Sequence, residues 1–375
     1  MGGIYIHIPF CKQRCKYCAF YSTTQHSLQQ RYVDAVCREI RMRHDYITGC
    51  ADTVYFGGGT PSTLTKEQIG NILSCIKETF GITENAEITI EANPDDLTPE
   101  YLSQLRSLNI NRLSMGVQSF NDRQLKQLQR RHNAHKAREA VENARKAGFN
   151  NISIDLIFAL PGSTDSEWAD DLKQAIELRP THISAYNLTY EEGTTLYREA
   201  ESGKITPLSE EENITQFETL IETLRGANYR HYEISNFALP GFESRHNSSY
   251  WNNIPYLGCG AAAHSYNGES RCWNIADIQE YIKGIENNSP NFEIEHLTIG
   301  EQHNDTILTR LRTAEGINLE SFKERFGEII TNNLLKAASR HIDNGTLQLY
   351  KNTLSLTHKG IFISDSIMRD LIYIE

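Results

Sequence analysis

Over the first 190 residues, short β-branched or aromatic runs alternate with longer amphipathic runs. The short runs predict strands at 4–8, 53–56, 87–92, 112–116, 152–156 and 182–187, since such residues suit a pleated, half-buried surface. The longer runs predict helices. Across 28–46, Tyr32, Val33, Val36, Ile40 and Met42 fall roughly on one helical face. Further helices are expected at 66–80, 99–108, 134–147 and 166–178. Thr98, Pro99 and Glu100 form a good start signal, with Thr as cap and Pro at the first helical position. Asp165-Ser166-Glu167 resembles another.

Strand and helix in alternation imply parallel strands joined by right-handed crossovers. Six such units make an α/β fold, a partial (β/α)6 barrel, with an open doubly wound sheet as the alternative. Either places ligands at the carboxyl ends of the strands. A long helix over 210–227 and a strand at 229–234 end this region. Residues 236–274 are rich in Asn, Gly, Ser and aromatics and read as irregular; 287–290 reads as a turn or linker. From 298 the pattern is helical, and its end resembles a winged helix with few Lys or Arg on the wing, which favours packing or a partner over DNA. The expected division is 1–235 for the barrel, 236–297 for an irregular segment and linker, and 298–375 for a mainly helical, winged-helix-like domain.

Composition narrows the function. Hydrophobic residues make up 39% and charged residues 23%, and 37 Lys plus Arg against 48 Asp plus Glu give a net charge of −11. An acidic surface repels phosphate backbones, so nucleic acid is not the expected partner. No run approaches the roughly 18 apolar residues of a membrane span. No secretory or transit signal is visible, and Ile6 stands where a myristoylation signal needs Ser or Thr. The expectation is a cytoplasmic protein with no membrane span.

Three of the eight cysteines, Cys11, Cys15 and Cys18, are packed into eight residues behind the first strand; the other five are scattered. Three thiolates in one short loop can hold three irons of a [4Fe-4S] cubane and leave the fourth iron open. An open iron can chelate the amino and carboxylate groups of S-adenosylmethionine (SAM). Structural zinc needs four ligands, usually in two separated pairs, and neither His7 nor His26 completes such a spacing. Arg14 and Lys16, between the cysteines, would help to stabilise thiolates.

At these residues the chain resembles the radical SAM superfamily. Within it, the chain resembles the group of oxygen-independent coproporphyrinogen III oxidase and its relative, the radical SAM haem chaperone. The likeness covers nearly the whole chain. It rests on Tyr5-Ile6-His7-Ile8-Pro9-Phe10-Cys11, the cysteine loop, Phe56-Gly57-Gly58-Gly59-Thr60-Pro61, Glu91-Ala92-Asn93-Pro94, Ser114-Met115-Gly116-Val117-Gln118-Ser119-Phe120 and the run from Asp155 to Gly162. The resemblance implies that Gly58, Gly59 and Thr60 meet the SAM amino group. It assigns Glu91, Gln118, Arg130 and Asp155 to SAM, with ribose on the carboxylates and the methionine carboxylate on Arg130. Tyr5 and Tyr17 would lie against SAM or the cluster.

Two departures from the oxidase stand out. Its further cysteine, two residues after the third, is Phe20 here, and only ten residues precede Cys11. Both match the chaperone branch, as does His246-Asn247-Ser248-Ser249-Tyr250-Trp251, an HNxxYW motif. Imidazole is a good haem ligand and aromatic rings pack against porphyrin. His246, Tyr250 and Trp251 are therefore expected to form one haem pocket, with Cys259 and His264 as alternative ligands. The resemblance thus implies a haem-delivering chaperone with a SAM-liganded cluster. Its cargo would be haem and its partner a recipient haem protein, a membrane-bound respiratory one among the options, with a homodimer as one possible assembly. The alternative is the oxidase itself, which removes carboxyl groups from porphyrinogen side chains. Radical SAM modification of tRNA fits the acidic charge poorly.

Overall fold

The computed structural model describes residues 2–373. Six strands lie side by side in sequence order and parallel: β1 (Gly2–Ile8), β2 (Ala51–Gly58), β3 (Ile82–Ala92), β4 (Arg112–Gln118), β5 (Asn151–Phe158) and β6 (His182–Asn187). The intervening helices include Gln29–Met42, Lys66–Thr79, Pro99–Ser107, Ala134–Lys146 and Asp165–Glu177. The two helices spanning Lys66–Thr79 and Asp165–Glu177 start on reciprocal capping boxes, Thr65 with Gln68 and Thr164 with Glu167. These are the strands and helices of the partial barrel that the sequence predicts.

Alternation along the strands gives the barrel two unlike faces. Ile4, Ile6 and Ile8, Val54 and Phe56, Ile88 and Ile90, Leu113 and Met115, and Ile152 and Ile154 join the helices in one apolar core. The intervening residues face inward and are polar, yet most are buried: His7, Thr53, Glu87, Thr89, Arg112, Ser114, Ser153, His182 and Ser184. Burying a polar residue without a partner costs about 1–3 kcal/mol. A polar interior is therefore a commitment to internal hydrogen bonds or to a ligand.

The sheet continues beyond the barrel on both sides. A hairpin of β7 (Arg230–Glu233) and β8 (Asn236–Ala238) adds to β6. On the other edge β9 (Tyr256–Cys259) pairs in parallel with β1, followed by antiparallel β10 (His264–Tyr266), β11 (Ser270–Asn274) and β12 (Phe292–His296). The sheet has twelve strands in the order β12-β11-β10-β9-β1-β2-β3-β4-β5-β6-β8-β7. This corrects the sequence-based expectation of an irregular segment and linker over 236–297. Strands of three to five residues are too short to show a period, and their pairing partners are distant in sequence. Glu39 anchors the extension. Buried on the first helix, it accepts hydrogen bonds from Gly260 N (2.8 Å), Asn274 Nδ2 (2.7 Å) and the Tyr281 hydroxyl (2.7 Å).

The C-terminal region has its own core, including Ile307, Leu311, Phe322, Leu334, Leu354 and Ile367. A helix (Ile299–Arg310) leads to β13 (Ile317–Asn318) and a long helix (Leu319–Asp343) broken at Gly327, where φ is 82°. A hairpin of β14 (Leu347–Tyr350) and β15 (Thr353–Leu356) forms the wing. Among the described residues no helix is long and apolar enough to cross a membrane.

Candidate functional site

The carboxyl ends of β1 to β5 converge on the cysteine loop. Backbone bonds pin this loop to the barrel: Cys11 N donates to Thr23 O (2.9 Å), Thr23 N to Pro9 O (2.7 Å) and Lys16 N to Leu128 O (3.2 Å). Lys16 also pairs with Glu199 at 2.8 Å. Cys11, Cys15 and Cys18 are near enough for Cys11 and Cys15 to act electrostatically on Cys18. Burial raises the pKa of Cys11, against which the Thr60 hydroxyl, 3.4 Å from Sγ, lowers it. Arg130 Nη1 donates to Cys15 Sγ at 3.2 Å.

Each glycine of Gly57-Gly58-Gly59 leaves room for a different neighbour. A β-carbon would come within 2.9 Å of the Tyr5 and Tyr55 rings at Gly57, within 2.6 Å of the His7 ring at Gly58 and within 3.0 Å of Cys11 Sγ at Gly59. At Gly58 the φ of 111° also favours glycine. The Gly58 amide donates to Glu91 Oε2 at 3.1 Å, and the Tyr55 hydroxyl holds Oε1 at 2.9 Å. Burial, reinforced by Asp155, raises the Glu91 pKa to about 7. Asp155 accepts a hydrogen bond from Ser114 (3.4 Å), and burial lifts its pKa to about 6.

Gln118 follows a bulge in β4 and takes a left-handed φ of 71°. It lies beside Arg130, because a side chain at Gly116 would meet both of them. Arg130 is half-buried, and Tyr17, Cys15 and Asp155 keep it charged despite the desolvation. Its Nη2 donates to Gly116 O, and its buried Nε has no partner among the described residues. The Tyr5 hydroxyl meets His7 Nδ1 at 3.1 Å, and Tyr17 packs near Leu128, Ile157 and Leu160. The residues expected to serve a cluster and SAM are therefore gathered at one mouth.

Sequence reasoning missed Arg112. Its side chain is wholly buried inside the barrel, and neither Nε nor Nη1 has a partner among the described residues. A single charge at a strand start reads as a strand boundary, which hid it.

The HNxxYW residues lie elsewhere. They form a short helix, Arg245–Trp251, at the amino ends of β2 and β3, opposite the cysteine loop. His246 is 1% exposed, its Nδ1 is 2.7 Å from Thr53 Oγ1 and its Nε2 is 2.8 Å from the Tyr250 hydroxyl. Its amide donates to Glu87 (3.0 Å). Trp251 turns away, beneath the Arg312 guanidinium at 5.2 Å, and lines a cleft of about 280 Å3 with Tyr232, Glu243 and Glu315. The expected pocket of His246, Tyr250 and Trp251 is not formed. Both imidazole nitrogens are engaged within the protein, and Trp251 does not share the space.

The Radical SAM superfamily signature matches residues 5–175, and that of the HemN C-terminal domain matches residues 298–363. Heme chaperone HemW of Bacillus subtilis is 33% identical over 374 residues, 98% of each chain. The chain belongs to the HemW family of radical SAM proteins. Heme chaperone HemW of Lactococcus lactis is 36% identical over 326 residues, 87% of this chain and 85% of that one. The solved structure of coproporphyrinogen III oxidase (HemN) from Escherichia coli, a radical SAM enzyme, shares the fold: TM-score 0.85 at 24% identity, over 99% of this chain and 89% of that one. Membership of the radical SAM family implies a [4Fe-4S] cluster and SAM. The mouth suits such groups: three thiols on one loop, a half-buried cation beside one of them, an unpartnered Arg130 Nε and a backbone stripped of β-carbons.

Proposed function

We propose that this HemW-family chain is a haem chaperone that carries haem to a recipient haem protein and holds a SAM-liganded [4Fe-4S] cluster at the barrel mouth. The observation that carries this reading is the alignment with proteins named heme chaperone over 98% of both chains. Phe20, 69% exposed beside Cys18, supports it, since the oxidase group has a cysteine there. Cys11, Cys15 and Cys18 would each bind one iron. When bound, the cluster supplies an electron to the SAM sulfonium.

The remaining residues bind and orient. Arg130 Nε would take the methionine carboxylate, and Gly58, Gly59 and Thr60 would face the amino group. Glu91 and Asp155 would accept from the ribose hydroxyls, with Gln118 beside them and Tyr5 and Tyr17 as packing walls. All eight cysteines are unpaired, which suits a reducing compartment, and we place the protein in the cytoplasm.

The test compares haem with coproporphyrinogen III. Reconstituted protein is expected to bind haem, seen as a Soret band, and to leave coproporphyrinogen III intact with reductant and SAM. Turnover of the porphyrinogen would replace this reading with that of the oxidase. Replacing Cys11, Cys15 and Cys18 with Ala should remove about four irons and four sulfides per chain.

A further inference from the structure

We propose that haem is held on the open face of the β10–β11 ribbon, with His264 as the iron ligand and Trp273 as the ring that orients it. The proposal rests on the haem-carrier reading above and gives it a site. Of the three ligands considered from the sequence, His246 has both nitrogens engaged and Cys259 is fully buried. His264 is exposed, and neither ring nitrogen has a hydrogen-bond partner among the described residues. It is a free imidazole.

The ribbon holds that imidazole in a fixed pose. His264 and Trp273 are direct partners across β10 and β11, and their rings stack 5.9 Å apart at 25°. The alternate residues, Ser265 and Cys272, are buried against Arg43, which reaches Ser265 Oγ at 3.1 Å. One face of the ribbon is thus anchored on the first helix, and the other presents His264 and Trp273. An axial imidazole stands upright on a porphyrin, so a ring stacked on it meets the porphyrin edge-on, a favourable aromatic contact. Strands place ligands more accurately than loops.

The chemistry suits carriage. A neutral imidazole offers a lone pair to iron. Gly260, just after β9, lies close against His7 near the carboxyl end of β1, so the root of the ribbon adjoins the barrel mouth. A single ligand on an exposed face lets haem enter and leave without unfolding. Release of His246 would require the 245–251 helix to leave its seat.

Haemin is titrated into the holoprotein and followed at the Soret band, with iron–sulfur content and far-UV circular dichroism as fold controls. His264→Ala should weaken binding at least tenfold and shift the band. In His264→Gly, free imidazole should restore the band, which a merely structural effect would not allow. Trp273→Leu should weaken binding several-fold, and His246→Asn should keep the wild-type band. Wild-type affinity and spectrum in His264→Ala would overturn this site while leaving the carrier reading intact, as would loss of the band in His246→Asn alone. If the wild type binds no haem, the carrier reading fails and the site with it.

Discussion

His246 Nδ1 lies 2.7 Å from Thr53 Oγ1, and the same imidazole stacks on the Tyr55 ring at 5.0 Å. Tyr55 in turn holds Glu91 at the barrel mouth. The HNxxYW helix is therefore the floor of the barrel beneath Glu91. His246→Ala removes a buried ring and two hydrogen bonds, which costs about 3 kcal/mol. For a chain of this size the melting temperature should fall by about 4 °C, with the cluster retained. An unchanged melting temperature would show that the floor carries no stability.

The same residue sets an acid response. Burial, helped by Arg112, lowers the His246 pKa to about 3 from 6.5. The neutral ring's stability is therefore complete above pH 6.5 and is lost as pH falls toward 3, at about 1.4 kcal/mol per unit. His7, lowered to about 4 by burial, acts with the same sign. Glu91 and Asp155, raised to about 7 and 6, act with the opposite sign, because the native state keeps protons that the unfolded chain releases. These opposite signs partly cancel in the wild-type profile. His246→Asn isolates one term: its stability deficit relative to wild type should shrink steadily below pH 6. Urea midpoints across pH check this, and a constant gap from pH 7 to 5 would exclude it.

The barrel was legible because strands of β-branched residues such as Ile4, Ile6 and Ile8 alternate with amphipathic helices long enough to show a period. The cysteine loop was legible because its chemistry is local. β9 was not, because Gly258 carries no signal on its own. Its place is set by contact, with a β-carbon there falling 2.0 Å from the His264 carbonyl oxygen. The internal bonding of His246 was hidden for a similar reason. A histidine followed four residues later by tyrosine has the spacing of a ligand pocket, yet in the fold that tyrosine satisfies the histidine. Arg112 shows its importance only when its missing partners can be seen.

Gly58→Ala tests the mouth itself. At φ 111°, with the His7 ring 2.6 Å from any β-carbon, the substitution forces either the backbone or His7 to move. The backbone strain alone is about 1–3 kcal/mol. Because the Gly58 amide holds Glu91, the SAM-induced change in the reduced cluster's EPR signal should be lost at concentrations that saturate the wild type. Iron and sulfide content should stay the same. A wild-type EPR response would place SAM away from this strand end.

Arg112 supplies the last prediction. Glu91 faces Tyr5 on β1, Tyr55 on β2, Arg112 on β4 and Asp155 on β5, with Tyr186 and Tyr250 beyond. Asp155 is also faced by Tyr17 and by Arg130. Arg130 is already bonded to Cys15 and Gly116. Arg112 is the cation left to balance both carboxylates, and its charge lowers the pKa of each. Ribose hydroxyls are donors, so they bind best when these groups are ionised. Arg112→Met should raise both pKa values and move the midpoint of SAM affinity against pH upward by about one unit. Affinity near pH 7 should then drop, while binding at pH 8.5 should largely survive. Arg112→Lys, which keeps the charge, should restore much of the wild-type profile. Equilibrium dialysis of SAM across pH makes the measurement. If the methionine variant folds, keeps its cluster and gives a profile that overlays the wild type, Arg112 is packing and the carboxylates are charged without it.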